Sequence, residues 1–392
     1  MGKIRIVFAS DWASIRKFAP VMEEDPGEVY GNLRKKLADA DLKIVNLEVP
    51  LCDGSTPIVK SGPALWGKPE SVSSLLAVPF DVAVCANNHT FDCALPGYAA
   101  TRKLLLANRI TPVGAGDDIA EARKPFVFEK AGVRLALFPL SEGEDMMGAG
   151  PGKPGVRPWE VEELAKEIRE RRREFDVILV SAHCGLEYQP YPSFYVWEAF
   201  KVLAEAGADV IIGHHPHVPQ GMTKFGKCSA FFSLGNFIFD QKEFFHRKHG
   251  FFLVMEAGKE GILSCEKVPY SIGKRSLSLL EGKEKEEFDF LFEKLSRPLG
   301  EKESALEAWH AVLAFNGVEG YKDELRRILA KYETDPAGAA AMQRNRLSCI
   351  QHNTQWMDGL TRIANGTINE APEEYLAMVR EYMTRKVNPE DE

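Results

Sequence analysis

Short apolar runs alternate with longer amphipathic segments over the first two-thirds of the chain. Apolar runs that end at glycine or polar residues predict buried strands over residues 3–9, 42–47, 80–85, 111–114, 133–140, 177–182, 210–212 and 230–234. Apolar positions with helical spacing predict helices over residues 29–39, 97–108, 159–175 and 195–206. This alternation is typical of βαβ units, so the chain is predicted to have an α/β fold.

The pattern changes after about residue 250. Two strand-like segments, 250–257 and 264–268, flank a turn at residues 258–261. Beyond about residue 284 the apolar spacing is helical, with segments at residues 287–295, 304–315, 321–332, 336–357 (with interruptions) and 372–386. We therefore predict an α/β domain over residues 1–275 and a helical extension over residues 280–388. The extension could cover the edge of a functional site, mediate dimerisation, or do neither.

Polar side chains that suit metal binding or catalysis directly follow several of the predicted strands. They are Asp11, Glu48, Asn88 with His89, His183, and His215 with His217. Ligands of open α/β sheets bind outside the carboxyl ends of the strands. We therefore expect these side chains to converge on one edge, although they are far apart along the chain.

Each of these residues also has a purely structural interpretation. Asp11 could cap a helix, Glu48 could be an exposed loop acid, Asn88 could belong to a turn, and His183 could be a packed core histidine. Their joint placement favours a metal site instead. Imidazole, carboxylate and amide donors together suit Mn, Fe or Zn better than Ca or Mg. Because a carboxylate such as Glu48 can bridge two ions, one or two divalent transition-metal ions are expected.

The composition limits the classes of function. The 392 residues are 45% hydrophobic and carry a formal net charge of −8. This charge gives no support for nucleic-acid binding, but it allows a local basic pocket for an anionic substrate. The seven cysteines include no Cys-x-x-Cys pair, as expected for buried thiols in a reducing compartment. With no signal-peptide region and no membrane segment in the chain, a cytoplasmic location is expected. The oligomeric state is left open.

Several motifs resemble those of the poly-γ-glutamate capsule-synthesis family (CapA type). They are Asn46-Leu47-Glu48-x-Pro50-Leu51, Ala86-Asn87-Asn88-His89-x-x-Asp92, Gly114-Ala115-Gly116, Ala182-His183-x-Gly185-x-Glu187-Tyr188, the segment from Gly207 to His217, and Ser233-Leu234-Gly235-Asn236-Phe237-x-Phe239-Asp240. This family is similar to the calcineurin-like metallophosphoesterases. The resemblance therefore implies a two-sheet sandwich flanked by helices, with a catalytic dinuclear metal site at the strand ends. It covers about residues 5 to 270 and does not extend to the C-terminal helices.

The resemblance also implies a role for each matching residue. The metal ligands would be Asp11 and His217 for the first ion, Glu48 as the bridge, and Asn88, His183 and His215 for the second ion. His89 would be catalytic and would protonate the leaving group. Weaker candidates for substrate contact or ligand orientation are Asn46, Lys60, Asp92, Glu187, His214 and Asn236.

Two positions depart from the broader phosphoesterase pattern. Ala13 stands where a histidine ligand is usual, so the first ion has one ligand fewer. Glu48 stands where an aspartate is usual. The capsule-type branch shares both departures, so they favour that branch over an inactive site.

Three functions are consistent with the sequence. The leading interpretation is a metal-dependent hydrolase of the metallophosphoesterase type, acting on an anionic phosphoester. In a second, the same site hydrolyses or transfers γ-glutamyl amide bonds of a glutamate polymer. In a third, the chain is a non-catalytic component of a polymer synthesis or export assembly. The resemblance implies that family members with that role are typically membrane-anchored or exported. Because no anchor is expected in this chain, the third function is disfavoured.

Overall fold

The computed structural model describes residues 2–240 and 244–387. Its strands are β1 (Ile4–Trp12), β2 (Leu42–Leu47), β3 (Val82–Val84), β4 (Thr111–Val113), β5 (Ala115–Gly116), β6 (Phe126–Lys130), β7 (Val133–Ser141), β8 (Gly155–Val156), β9 (Val177–His183), β10 (Val210–His214), β11 (Met222–Phe225), β12 (Cys228–Phe231), β13 (Asn236–Ile238), β14 (His249–Gly258), β15 (Gly261–Ile272) and β16 (Leu277–Leu279). Its helices are α1 (Phe18–Glu24), α2 (Arg34–Ala38), α3 (Val72–Ala77), α4 (Ala94–Ala107), α5 (Ile119–Ala122), α6 (Val161–Arg171), α7 (Phe194–Ala206), α8 (Gly282–Ser296), α9 (Lys302–Thr334), α10 (Pro336–Ser348), α11 (Ile350–Ala364) and α12 (Glu373–Thr384).

Most strands belong to two sheets that face each other. In the first sheet the strand order is β16-β15-β14-β1-β2-β3-β4, and β13 also pairs with β1. In the second sheet the order is β11-β12-β10-β9-β7-β6. Strands β1 to β4 run parallel, and so do β7, β9, β10 and β12. The carboxyl ends of these parallel strands carry the side chains described below.

Three buried apolar clusters show the order of the layers. One lies between the two sheets, a second lies between the first sheet and α1, α3 and α4, and a third lies between the second sheet and α6 and α7. Along β1, Ile6 and Phe8 face the other sheet, whereas Val7 and Ala9 face the helices. This alternation follows the two-residue period of a strand. The α/β class and the two-sheet sandwich flanked by helices are thus confirmed.

The C-terminal helices pack on the sandwich through their own apolar cluster. Trp309 and Val312 of α9 and Val379 of α12 are buried there together with Leu186 and Val218 of the sandwich. The indole Nε1 of Trp309 donates to Asp358 Oδ2 at 2.8 Å, which satisfies its only polar atom. The helices are therefore attached to the loops at the carboxyl ends of the second sheet.

Some of the predicted elements are wrong in detail. The helix predicted over residues 29–39 is a 3₁₀ turn over Glu28–Leu33 followed by the short α2, because Gly31 has a φ of 49°. The helices predicted over residues 304–315 and 321–332 form one element, α9, which has non-helical angles at Gly317. Strand β6 was not predicted because its side chains are at most half-buried, which leaves no apolar run to recognise.

The structure also bears on the cysteines and on membrane association. Every cysteine is free, and all except Cys265 are buried. Within residues 2–240 and 244–387, none of the helices combines the length and the apolar character needed to cross a lipid bilayer. Residue 388, the end of the predicted extension, lies outside the described residues.

Candidate metal centre

Asp11 lies within β1, not beyond its end as the sequence pattern indicated. The strand continues because its pairing changes at a bulge: Phe8 pairs with Ile44, and after a register shift Asp11 pairs with Asn46 of β2 and with Asn236 of β13. Bulges of this kind redirect a side chain without ending the strand. The carboxylate of Asp11 is consequently fully buried between two asparagines on neighbouring strands.

The histidines lie at the ends of two strands of the second sheet and in the turn that follows. His183 ends β9 and pairs in register with His214, which ends β10. The chain then turns sharply, because His215 has a φ of 96° and His217 a φ of 57°. Positive φ values at non-glycine residues are strained and persist at functional sites where the surroundings enforce them. This turn places the imidazoles of His215 and His217 at the strand edge.

The first side-chain group consists of Asp11, Glu48 and His217, whose donor atoms lie within 4.8 Å of one another. His217 Nδ1 lies 3.6 Å from Asp11 Oδ2, and His217 Nε2 lies 3.6 Å from Glu48 Oε1. These separations are too long for good hydrogen bonds but suit ligands that share an ion. The group matches the set expected for the first ion.

The second side-chain group consists of Glu48, His183 and His215, also within 4.8 Å of one another. His183 Nε2 lies 3.6 Å from Glu48 Oε1 and 3.0 Å from Asn88 Oδ1. The rings of His183 and His215 are 4.8 Å apart. Glu48 therefore belongs to both groups, the position that a bridging ligand requires.

Four of the possible donor atoms in these groups lack a hydrogen-bond partner among the described residues. Both carboxylate oxygens of Glu48, Oδ2 of Asp11 and Nδ1 of His215 are buried and make no hydrogen bond. A buried carboxylate without a partner costs several kcal/mol or more, whereas a bound cation removes that cost. The residues present thus fit one or two divalent cations.

The pKa shifts in the two groups have clear physical causes. Burial, with a further contribution from Asp11, raises the pKa of Glu48 well above its usual range. Burial lowers the pKa of His183 well below its usual range and that of His217 to about 4, which favours the neutral imidazole that a metal needs. Despite burial, Glu144 raises the pKa of His215 to about 9.

Three of the weaker candidates from the sequence make hydrogen-bond contacts with side chains of the first group. Asn46 Nδ2 donates to Asp11 Oδ1 at 2.9 Å. His214 Nδ1 lies 3.1 Å from the same oxygen. Asn236 Oδ1 lies 2.9 Å from His217 Nδ1, so His217 donates through Nδ1 and directs Nε2 towards Glu48.

His89, Asp92 and Lys60 form a chain beside the two groups. His89 Nδ1 lies 2.5 Å from Asp92 Oδ2, and Lys60 Nζ donates to Asp92 Oδ1 at 2.8 Å. Burial alone would raise the pKa of Asp92, but the charges of His89 and Lys60 lower it. Asp92 is therefore ionised and fixes the ring of His89 through Nδ1, which leaves Nε2 available.

The missing histidine of the phosphoesterase pattern has no direct replacement at its own position. Ala13 is fully buried, and its backbone N–H donates to Ile238 O at 2.6 Å. Glu187, in contrast, is within 4.8 Å of His215 and His217, and its Oε1 lies 3.7 Å from His217 Nε2. Among the predicted residues it is an additional carboxylate that the first ion could use.

Two residues near the ligands were missed in the sequence. Glu144 is buried just after β7, with Oε1 3.4 Å from His215 Nε2 and Oε2 3.5 Å from Asn88 Nδ2. It follows a strand end like the predicted residues, so the same rule could have found it. Gln351, at the start of α11, has its Oε1 3.1 Å from His215 Nε2. The sequence offers no local signal for Gln351.

A cavity of about 400 Å³ lies above these groups. Its lining includes Asn88, His89 and His217 of the sandwich and Arg327 and Gln351 of the C-terminal helices. The volume is in the range of small-molecule sites, about 300–1,000 Å³. The helical extension therefore covers the edge of the sandwich at which the ligands meet.

Gly213, which precedes the histidines, allows β12 to approach closely. A Cβ atom at this position would lie 2.0 Å from the carbonyl oxygen of Phe232. We expect Gly213→Ala to lower the free energy of unfolding by about 1–3 kcal/mol or more, because backbone must move to relieve the overlap. Urea unfolding would measure this change. Gly300→Ala is the matched control, since a Cβ there meets nothing within 4 Å and should alter stability little. Equal stability of both variants would contradict this packing argument.

Comparison with known proteins shows which family the first part of the chain matches. The model of the family described as "Bacterial capsule synthesis protein PGA_cap" matches residues 5–241. The "PGA biosynthesis protein CapA" of Bacillus subtilis (strain 168) is 34% identical over 177 residues, which are 44% of this chain and 46% of that protein. The "Capsule biosynthesis protein CapA" of Bacillus anthracis is 31% identical over 182 residues, or 45% of this chain and 44% of that protein. The matched region thus spans less than half the length of either relative.

Solved structures show a weaker likeness. The NAD nucleotidase NadN of Haemophilus influenzae aligns with a TM-score of 0.42 at 14% identity, covering 74% of this chain and 55% of that one. A 5'-nucleotidase of Candida albicans aligns with a TM-score of 0.38 at 12% identity, covering 77% of this chain and 56% of that one. At these scores the likeness supports no assignment of function.

Proposed function

The chain belongs to the bacterial capsule synthesis protein (PGA_cap) family, and we propose that it is a metal-dependent hydrolase of the metallophosphoesterase type. The observation that carries the proposal is the convergence of the two side-chain groups on Glu48. Both of its oxygens are buried without a hydrogen-bond partner among the described residues. No described side chain donates a hydrogen bond to this carboxylate, and divalent cations would stabilise its charge.

We assign the ligands as the two groups suggest. Asp11, Glu48 and His217 would hold the first ion, and Glu48, His183 and His215, with Asn88 beside His183, would hold the second. The mixture of imidazole, carboxylate and amide oxygen suits Mn, Fe or Zn. When bound, such ions supply Lewis-acid activation of water and of the electrophile.

The other steps depend on the protein's own side chains. His89, held at Nδ1 by Asp92, donates a proton from Nε2 to the departing oxygen. Lys60 keeps Asp92 ionised and holds the backbone oxygen of Asn88 at 2.8 Å. Arg327, which lines the cavity, provides positive charge for the anionic part of a substrate.

Removal and return of metal tests the proposal. The protein, stripped by a chelator and dialysed, should lose turnover of a chromogenic phosphate ester. It should regain turnover on addition of Mn²⁺, Fe²⁺ or Zn²⁺, with Ca²⁺ and Mg²⁺ less effective because they prefer oxygen ligands. Turnover that is the same in the stripped and reconstituted protein would refute the assignment.

A second candidate function follows from the names of the relatives. Because the Bacillus subtilis protein is named for PGA biosynthesis, the same site could hydrolyse or transfer γ-glutamyl amide bonds of a glutamate polymer. Release of glutamate oligomers from poly-γ-glutamate, without turnover of any phosphate ester, would favour this function. Metal-independent binding of the polymer with neither activity would favour the third possibility, a non-catalytic component of a synthesis or export assembly.

A further inference from the structure

The C-terminal helices reach one of the proposed metal ligands directly. Gln351 is only 1% exposed, and its Oε1 lies 3.1 Å from Nε2 of His215. An amide oxygen can only accept a hydrogen bond, so His215 must carry its proton on Nε2. The other ring nitrogen, Nδ1, is then free of a proton in the neutral imidazole. Nδ1 is also the atom that is buried without a hydrogen-bond partner.

A second contact fixes the turn that carries Glu144. Asp145 and Met146 have φ values of 52° and 65°, angles that are costly for these residues. Asn345 of α10, which is fully buried, accepts from the backbone N–H of Asp145 at 3.3 Å through its Oδ1. Its Nδ2 donates to Ser61 Oγ at 2.9 Å. The end of α10 therefore joins the turn after β7 to the segment that follows Lys60.

Glu144 and Gln351 both lie close to Nε2 of His215. Glu144 Oε1 lies 3.4 Å from His215 Nε2, slightly farther than Gln351 Oε1. Both groups are acceptors, and both require the same tautomer of His215. The helix junction between α10 and α11 thus supplies one acceptor itself and positions the turn that supplies the other.

From these contacts we propose that Gln351 is a positioning residue for His215, so that the C-terminal helices are part of the metal centre. The inference rests on the proposed function, because it needs His215 to bind a metal. Gln351 holds the proton of His215 on Nε2 and leaves Nδ1, which is buried without a hydrogen-bond partner among the described residues, for the ion. Partners of this kind fix the ring and raise its basicity, and their loss costs about 10–100-fold in metal affinity.

Direct titration with Mn²⁺ tests the inference without reference to hydrolysis. The Gln351→Leu variant of the full chain roughly keeps the size of the side chain but removes the nearer of the two acceptors at Nε2 of His215. We expect its weaker Mn²⁺ site to bind about 10–100-fold less tightly than that of the unaltered protein in isothermal titration calorimetry. Gln355→Leu is the matched control: it lies one turn further along α11 and lines the same cavity. Its Mn²⁺ affinity should be unchanged.

The possible failures can be told apart. Equal Mn²⁺ affinity of Gln351→Leu and the unaltered protein would overturn the role of Gln351 while leaving the hydrolase proposal intact. An unaltered protein that binds no Mn²⁺ would overturn the proposed function and this inference with it. If Gln351→Leu does not fold, ¹⁵N NMR of the histidine rings in the Zn²⁺-loaded unaltered protein decides the matter. His215 should be protonated at Nε2 and metal-bound at Nδ1, and the reverse arrangement would overturn the inference.

Discussion

Glu48→Gln is expected to abolish metal-dependent turnover and to remove most of the stabilisation that metal gives the fold. Glu48 contributes to both side-chain groups. The loss of its charge is therefore expected to weaken the binding of both ions at once. We expect a fall in Mn²⁺ affinity at least as large as the ~100-fold that loss of an outer partner can cost. At a Mn²⁺ concentration 100 times the dissociation constant, the unaltered protein gains about 2.7 kcal/mol. A variant that binds 100-fold more weakly gains about 0.4 kcal/mol at the same concentration.

Urea unfolding with and without Mn²⁺ measures this difference. The metal-free variant should be at least as stable as the metal-free unaltered protein, since the oxygens of Glu48 are buried without partners. That result separates the loss of a ligand from a failure to fold. Glu266→Gln, at an exposed position paired with Lys36, is the matched control and should keep the full response to Mn²⁺. A full response in Glu48→Gln as well would argue against a bridging role.

The sequence predicted the architecture well because parallel strands such as β2, β9 and β10 are buried on both faces. Near-continuous apolar runs such as residues 177–182 and 210–212 stand out where a sheet is parallel and covered on each side. Since parallel strands share an edge, the residues that follow them are brought together by topology alone. His183 and His214 illustrate this, because they end neighbouring strands in register. Their functional roles remain predictions.

The remaining features depend on irregular backbone or on packing between distant segments. Asp11 lies at a bulge, which no apolar pattern encodes, and the turn with Glu144 depends on positive φ values at Asp145 and Met146. Gln351 is 136 residues from His215 along the chain. The contact between Gln351 and His215 depends on the packing of α9 to α11 over the sandwich. The family resemblance ends before these helices, so it could not indicate this residue either.

His89→Gln is expected to affect chemistry without affecting the ions. His89 belongs to neither side-chain group within the described residues, so the Mn²⁺ affinity should stay within a few-fold of the unaltered protein. A general acid typically contributes about 10²–10⁴-fold to the rate. This contribution matters most when the departing oxygen is strongly basic and least when it is already stable as an anion. We therefore expect a loss of about 10²–10⁴-fold in kcat for an alkyl phosphate ester and a much smaller loss for a nitrophenyl ester.

The dependence on the leaving group separates proton donation from a structural role. A substitution that merely disturbed the cavity would slow both esters equally, because both require the same positions of Asn88 and the ions. Steady-state kinetics of His89→Gln with the two esters therefore tests the role of the ring directly. His310→Gln, on α9, is the control for loss of an imidazole elsewhere and should slow neither ester. Equal losses for both esters in His89→Gln would assign the ring to binding or packing, and the proton would then have to come from another group or from water.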